Sequence, residues 1–353
     1  FAVIVFASSA VDVALILGPS LPPTLSVRLL EWHTSTQLDQ RDLAAAAGLL
    51  QLGTSLGALA LWLLLERAAS RLYRGQLGRG SPAARHSRGE RFIAALGLGA
   101  LPAALLITLG GLLALLVASL ADGWRYPALL PDRWSVEGWV GAAAGLATPL
   151  GNAIAVAACA VCVALAVSLL ILETQTRAQR SALDKVLYLP LLLPQVVFLS
   201  GLVTLAEWFT LTPSLGLVVL GHCFFVLPSG YLTLHAAYST LDERWLMLAA
   251  TLGLRRRARF LRVRLPLLSA SLITAAMLGL VISLSLYLPT QLLGAGRVPT
   301  LTTEAVALVS SGDRRAIAVW ALLQSFLPML CFALALGLPR LLWTRRKGML
   351  GGL

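Results

Sequence analysis

The stretch LDERWLMLAATLGLRRRARFLRVRLP, residues Leu241–Pro266, is a charged island in an otherwise apolar chain. Leu241, Trp245, Leu248 and Leu252 recur at spacings of four, three and four, one stripe of an amphipathic helix. Asp242, Glu243 and Arg244 fall off that stripe. Gly253 follows, a residue free to take the left-handed conformation that commonly ends a helix. Six arginines lie between Arg255 and Arg264, and Leu265-Pro266 opens the next apolar run. A basic loop between membrane spans accounts for the arginines, but not for the helix, its stop and the Leu-Pro step. Too short for a domain and too patterned for a tether, the segment reads as a docking device.

Around it the chain is that of an integral membrane protein. Hydrophobic residues make up 58% of the 353 and charged residues 12%, with a mean hydropathy of +0.82; a soluble domain of this size cannot hide so much apolar surface. The net charge of +12 does not call for nucleic acid, because the basic residues sit between apolar runs, where they set topology. Lys185 and Lys347 are the only lysines, and neither stands in a phosphate-binding loop. Any ATP used must therefore be bound and hydrolysed by a partner, and no cofactor is expected on this chain. The four cysteines, Cys159, Cys162, Cys223 and Cys331, all lie in apolar runs, so Cys159-x-x-Cys162 reads as small packing residues rather than a metal or redox pair.

A membrane span needs roughly 20 apolar residues. Eight candidates follow: 1–17, 43–65, 92–120, 143–172, 186–208, 215–235, 268–290 and 316–342. Connections 66–91, 173–185 and 241–266 and the tail Arg345-Arg346-Lys347 are basic, whereas 18–42, 121–142, 209–214 and 291–315 are balanced or nearly uncharged. Strict alternation puts every basic segment on one side, which is thereby the cytoplasm. Trp124, Trp134 and Trp139 mark the outer interface, Trp245 and Trp343 the inner one. Pro190, Pro194 and Pro228 are expected to kink helices, as a membrane bundle tolerates.

The chain also repeats itself. Leu17-Gly18-x-x-x-x-Pro23-Thr24-Leu25 matches Leu293-Gly294-x-x-x-x-Pro299-Thr300-Leu301, and in both copies a polar stretch and one more span follow. The charge pattern makes the two copies parallel rather than inverted, unlike many secondary transporters. Residues 1–74 then read as the end of one module, 75–91 as an Arg/Gly/Ser-rich linker, and 92–353 as a complete six-span second module with its docking loop at 236–267. Pairing Phe1 with Met277 implies that roughly 180 residues of the first module would lie upstream.

These features resemble permease subunits of binding-protein-dependent ABC importers, whose cytoplasmic loop has the form Glu-Ala-Ala, three residues, Gly, nine residues, Ile-x-Leu-Pro. Gly253, nine residues, then Val263-Arg264-Leu265-Pro266 reproduce the second half. In the first half Met247-Leu248-Ala249 stand in place of Glu-Ala-Ala, and only Ala249 matches. The two-module arrangement is similar to the fused permeases for iron(III), thiamine and related solutes. The resemblance implies an all-α integral membrane protein with the type I importer permease fold, in a bacterial inner (cytoplasmic) membrane. It implies docking by Leu241, Trp245, Leu248, Ala249, Leu252, Gly253, Val263, Leu265 and Pro266. The partners it implies are cytoplasmic ATPase subunits below and a periplasmic or extracellular solute-binding protein above, with membrane lipid around and no nucleic acid.

Polar groups inside spans are the candidates for a translocation path, because their burial in lipid is costly without a partner or water. They are Asp12, Asn152, Gln195, Ser283, Ser285 and Gln324, with bonding between helices as the alternative use. Asp12 is the one carboxylate well inside a predicted span, and no span interior carries Lys or Arg, a balance that favours a cationic solute. His222, alone in an apolar helix, reads as a packing histidine. No catalytic constellation of Ser-His-Asp, His-Glu-x-x-His or paired-carboxylate type is present, so an enzyme is not expected. A secondary transporter independent of any ATPase and a membrane-embedded enzyme are the alternative functions.

Overall fold

The computed structural model describes residues 11–19, 21–35, 37–78, 88–124, 128, 130–175, 186–187, 193–309 and 311–343. The first nine helices are α1 (Val11–Leu17), α2 (Leu25–Thr34), α3 (Leu38–Gly78), α4 (Arg88–Leu120), α5 (Glu137–Gly145), α6 (Ala147–Thr174), α7 (Gln195–Trp208), α8 (Leu215–Thr240) and α9 (Arg244–Thr251). After α10 (Arg256–Arg259) comes a π-helical turn, Phe260–Arg264. Then follow α11 (Leu265–Leu267), α12 (Ser269–Ser285), α13 (Leu288–Gly294), α14 (Leu301–Val309) and α15 (Arg314–Trp343). The all-helical expectation needs one small amendment. Between α4 and α5, β1 (Ala121–Asp122) pairs antiparallel with β2 (Arg133–Trp134), Ala121 opposite Trp134.

Among the described residues five helices are long and apolar enough to cross a membrane, and six if the pair Arg256–Leu267 and Ser269–Ser285, bent by 72°, counts as one span. Eight spans are thus not all found. Residues 188–192 of the run 186–208 lie outside the described residues, and its described part holds the 14-residue α7, which starts immediately after Pro194; that proline opens the helix rather than kinking it. Pro190 and residues 1–10 lie outside the described residues, as do Arg177, Arg180, Lys185 and the basic tail. The run 143–172 is broken at Leu146, and 268–290 ends at Ser285 with α13 separate. α3 continues to Gly78 and α4 begins at Arg88, so helix extends into the stretch 75–91 from both sides. Pro228 is inside α8, as expected.

The repeated sequence element makes a repeated structure. α1 and α13 end at its Leu-Gly, and α2 and α14 start at the Leu after its Pro-Thr. The long helices α3 and α15 then begin in the same register, Leu38 answering Arg314 as Leu25 answers Leu301, the alignment that pairs Phe1 with Met277. Val11, Leu29, Val196, Val218, Phe225 and Leu288 share one core, so elements of the first copy pack directly against those of the second.

α6, α8 and α12 form the centre of the bundle. They approach closely because the facing residues are small, the usual solution where lipid offers no hydrophobic drive between helices: Ala153, Ala157, Ala160 and Ala164 are buried along α6. Gly279 of α12 is the tightest point that stiff side chains enclose, since a Cβ there would come within 3.0 Å of both Val161 Cγ2 and Val226 Cγ1. Gly279→Leu is therefore expected to destabilise the bundle by about 1–3 kcal/mol, the usual cost of overpacking. Reversible unfolding in a detergent titration, followed by tryptophan fluorescence, measures it; an unchanged midpoint would show that these three helices do not pack as described.

Direction within the bundle follows from side-chain contacts. Cys223 Sγ lies 3.6 Å from Ala160 O and Tyr238 Oη 3.1 Å from Glu173 Oε2, so α6 and α8 run the same way. Segments that the charge pattern assigns to the outer side meet one another, Asp122 pairing with Arg315 at 3.5 Å, and Arg41 of another outer segment pairs at 3.6 Å with Glu207 at the outer end of the run 186–208. The far ends of α6 and α8 meet the Leu241–Pro266 stretch through Glu173 and Tyr238, which contact Arg256 and Arg264.

Candidate functional site

The docking stretch is more ordered than a loop. Its amphipathic part, α9, is shorter than the periodicity implies, because Leu241 caps the end of α8 and Asp242 accepts from Arg244 N at 2.9 Å. The expected limits 236–267 overlap α8, which runs to Thr240. Trp245 is 57% exposed, Leu248 54% and Leu252 73%, while Ala249 is buried. The stripe therefore divides into an anchor, Ala249, and an apolar ridge facing away from the bundle. Gly253 adopts φ +82°, as its position in the sequence requires. Leu254 N donates to Ala249 O at 3.1 Å and Gly253 N to Ala250 O at 3.0 Å, the paired bonds of a Schellman stop.

Beyond Gly253 the arginine run is helical. Arg256–Arg259 leads into the π turn Phe260–Arg264, and Val263 lies inside that turn. Pro266 sits near the start of α11, where its missing N–H costs little, and the chain bends by 72° before α12. Leu265 and Pro266 thus stand at an elbow between the loop and a central span. Sequence periodicity did not expose the π turn, whose spacing differs from that of the helices around it.

One residue missed by the sequence reading holds the loop in place. Glu173, next to the last residue of α6, forms a close ion pair with Arg264 and accepts from Tyr238 Oη at 3.1 Å. Arg256 Nη2 donates to its backbone carbonyl at 3.0 Å. The signal available in sequence was an acid at the basic end of a span.

The candidate path residues do not gather at one cavity. Asn152 Nδ2 donates to Pro299 O at 2.9 Å, tying α6 to the repeated element. Gln324 Nε2 donates to Leu284 O at 2.8 Å, a carbonyl that also accepts from Thr302 Oγ1 at 3.0 Å. Both amides close backbone carbonyls on other segments, Pro299 before α14 and Leu284 at the end of α12, the interhelical use. Ser285 is exposed and bonds back to Val281 O at 2.8 Å. Gln195 is half-buried at the start of α7, and Asp12 is half-buried on α1 beside the core residue Val11. Among the described residues no cation lies within ion-pairing distance of Asp12.

Ser283 belongs to a buried chain of hydrogen bonds. His222 Nδ1 lies 2.7 Å from Ser283 Oγ and Nε2 2.9 Å from Thr290 Oγ1. With both ring nitrogens occupied and 2% exposure, His222 is a satisfied packing group. Thr300 and Thr302 line the adjoining void, which has room for about one water. A wider cleft of ≈ 700 Å³ opens at the opposite end from the docking stretch, with Asp122, Trp124, Asp313, Arg314 and Arg315 on its walls. Cys159 and Cys162 are exposed on α6, so they face outward instead of packing between helices, and among the described residues no group of His, Cys, Asp and Glu is placed to hold a metal ion.

Long apolar helices, two packed copies of one element and a basic elbow at one end define a multi-pass membrane protein. No protein-family model matches the chain. It is 34% identical over 348 residues, 99% of its own length, to the inner membrane ABC transporter permease protein YnjC of Escherichia coli, and spans 62% of that relative. Shorter matches join it to the thiamine transport system permease protein ThiP, at 36% identity over 94 residues in Brucella suis and 38% over 95 in Brucella abortus, each 27% of this chain and 17% of the relative. Over these stretches the chain is similar in sequence to ABC transporter permeases.

Proposed function

We propose that the chain is the membrane-spanning permease of an ATP-driven importer in a bacterial inner membrane. In this reading it forms part of the solute path and is driven by separate ATPase subunits on the cytoplasmic side. The observation that carries the reading is the docking stretch: a short helix with an exposed ridge of Trp245, Leu248 and Leu252, ended by a left-handed glycine. It is joined to a central span by an elbow. An amphipathic helix of this kind suits insertion into a groove of a partner. Relatives that are named as permeases disfavour a membrane-embedded enzyme, and the parallel repeat disfavours an ATPase-independent transporter. A solute-binding protein is the expected partner at the outer cleft. Co-reconstitution in liposomes tests the reading: uptake should require the ATPase, ATP and the binding protein together, and uptake without the ATPase overturns it.

The solute we infer is a small cation of the thiamine kind, with iron(III) cargo as the second candidate. Partial matches to thiamine permeases support this, as does the carboxylate of Asp12, which among the described residues has no cation within ion-pairing distance. A charge at membrane depth with no basic neighbour is costly and attracts a cation. Asp12→Asn should slow uptake by about tenfold, the equivalent of about 1.4 kcal/mol, with capture by the binding protein unchanged. Wild-type rates for this variant across pH 6–8 would make Asp12 structural and remove the charge argument.

A further inference from the structure

The Glu173 cluster does more than fasten a loop end. Two of its partners bracket the π turn: Arg256 precedes it and Arg264 closes it. Arg256 Nε lies 3.7 Å from Oε1, but this side chain is 69% exposed, so the pair is weak. Arg264 is 15% exposed and Glu173 21%, and charge-assisted bonds in such a setting are the strong ones. The Arg264 guanidinium also lies 4.6 Å above the Tyr238 ring centroid, a cation–π contact. Tyr238, at the end of α8, donates to the same carboxylate. One acid thus joins α6, α8 and both sides of the turn.

A π turn holds one residue more than the α turn it replaces. Relaxing it to α geometry would rotate Arg264 by about 100° relative to Arg256, since one residue is that fraction of an α turn. A rotation of that size would turn Arg264 away from Glu173 while Arg256 stays beside it, so contact with both arginines favours the π register. We propose that Glu173 is a positioning residue that locks the π turn of the docking stretch in register and so fixes the elbow to the ends of α6 and α8. The consequence for transport rests on the ATPase-docking reading above; the lock itself does not.

Amide hydrogen exchange on the intact chain in lipid nanodiscs reads the lock without any ATPase. Glu173→Gln should raise exchange across residues 256–268 by about tenfold, the scale of losing a charge-assisted bond, while exchange in 215–235 stays as in the wild type. Arg264→Gln should do the same, and the double variant should add nothing further, because the two groups act as one pair. Arg256→Gln should raise it less than Arg264→Gln, because its pair with Glu173 is the more exposed one. If Glu173→Gln fails to insert, Tyr238→Phe, which removes one hydroxyl, should still raise exchange in 256–268. Wild-type exchange in the variants, or additive effects in the double variant, overturns the lock. The same samples are then assayed for ATPase binding. Raised exchange with no ATPase bound even by the wild type would support the lock and reject the docking reading. Raised exchange with a wild-type rate of ATP-driven uptake would support the lock and overturn its role in coupling.

Discussion

Gly253→Val is expected to cut ATP-driven uptake by at least about tenfold while leaving membrane insertion intact, because the left-handed backbone costs a β-branched residue about 1–3 kcal/mol. Space is not the issue: nothing lies within 4 Å of a Cβ built at Gly253. The cost arises in the backbone, where φ is +82°. If the substituted residue is driven to negative φ, its own N–H and that of Leu254 can no longer both reach back to Ala250 O and Ala249 O. The direction in which the arginine run leaves α9 changes with them. The exposed ridge of Trp245, Leu248 and Leu252 would then be presented at a different angle to the elbow at Pro266. A graded series separates conformation from bulk: Gly253→Asn, which tolerates the left-handed region, should keep most of the uptake, and Gly253→Ala should lie between. Uptake in liposomes with the ATPase and binding protein, together with co-purification of the ATPase, measures the effect. Equal uptake by the valine and asparagine variants would sink the claim that Gly253 directs the docking helix.

His222→Leu is expected to lower the stability of the bundle by about 1–3 kcal/mol, the penalty for stranding buried polar groups. The volumes are similar, so the cost comes from Ser283 Oγ and Thr290 Oγ1, which lose partners at 2.7 and 2.9 Å. Thr290 Oγ1 has only a long fallback to Leu286 O at 3.5 Å. The triple variant His222→Leu, Ser283→Ala, Thr290→Val removes all three partners at once, and should recover most of the loss, since replacing every member of a buried polar set by apolar groups is close to neutral. Unfolding midpoints in detergent decide this, and a triple variant as unstable as the single one would show that the hydrogen-bond chain is not the stabilising unit. Transport adds a second reading. A stable triple variant that imports normally makes the chain purely structural, whereas a stable variant that does not import would return Ser283 to the solute path.

Much of this protein is set by composition and local pattern, which act through neighbours in the chain. The apolar runs demand helices that satisfy their own backbone in lipid, and the Arg-rich segments between them orient the bundle. The stripe through Trp245, Leu248 and Leu252 and the glycine after it were readable because an exposed amphipathic helix carries its period in the sequence. The repeated Leu-Gly…Pro-Thr-Leu element fixes its helix ends locally, so both copies fold alike. The tertiary structure alone decided what the polar residues inside those runs do. A helix apolar on all sides has no period to reveal which face meets protein, so Asn152, Gln324 and Ser283 look alike in sequence and become distinguishable only by what lies opposite them. Six arginines in one stretch are likewise interchangeable until α6 brings Glu173 beside Arg264 and Tyr238. That meeting joins residues from three separate parts of the chain, and it depends on the close approach of α6, α8 and α12, which the packing of small side chains allows and no local pattern encodes.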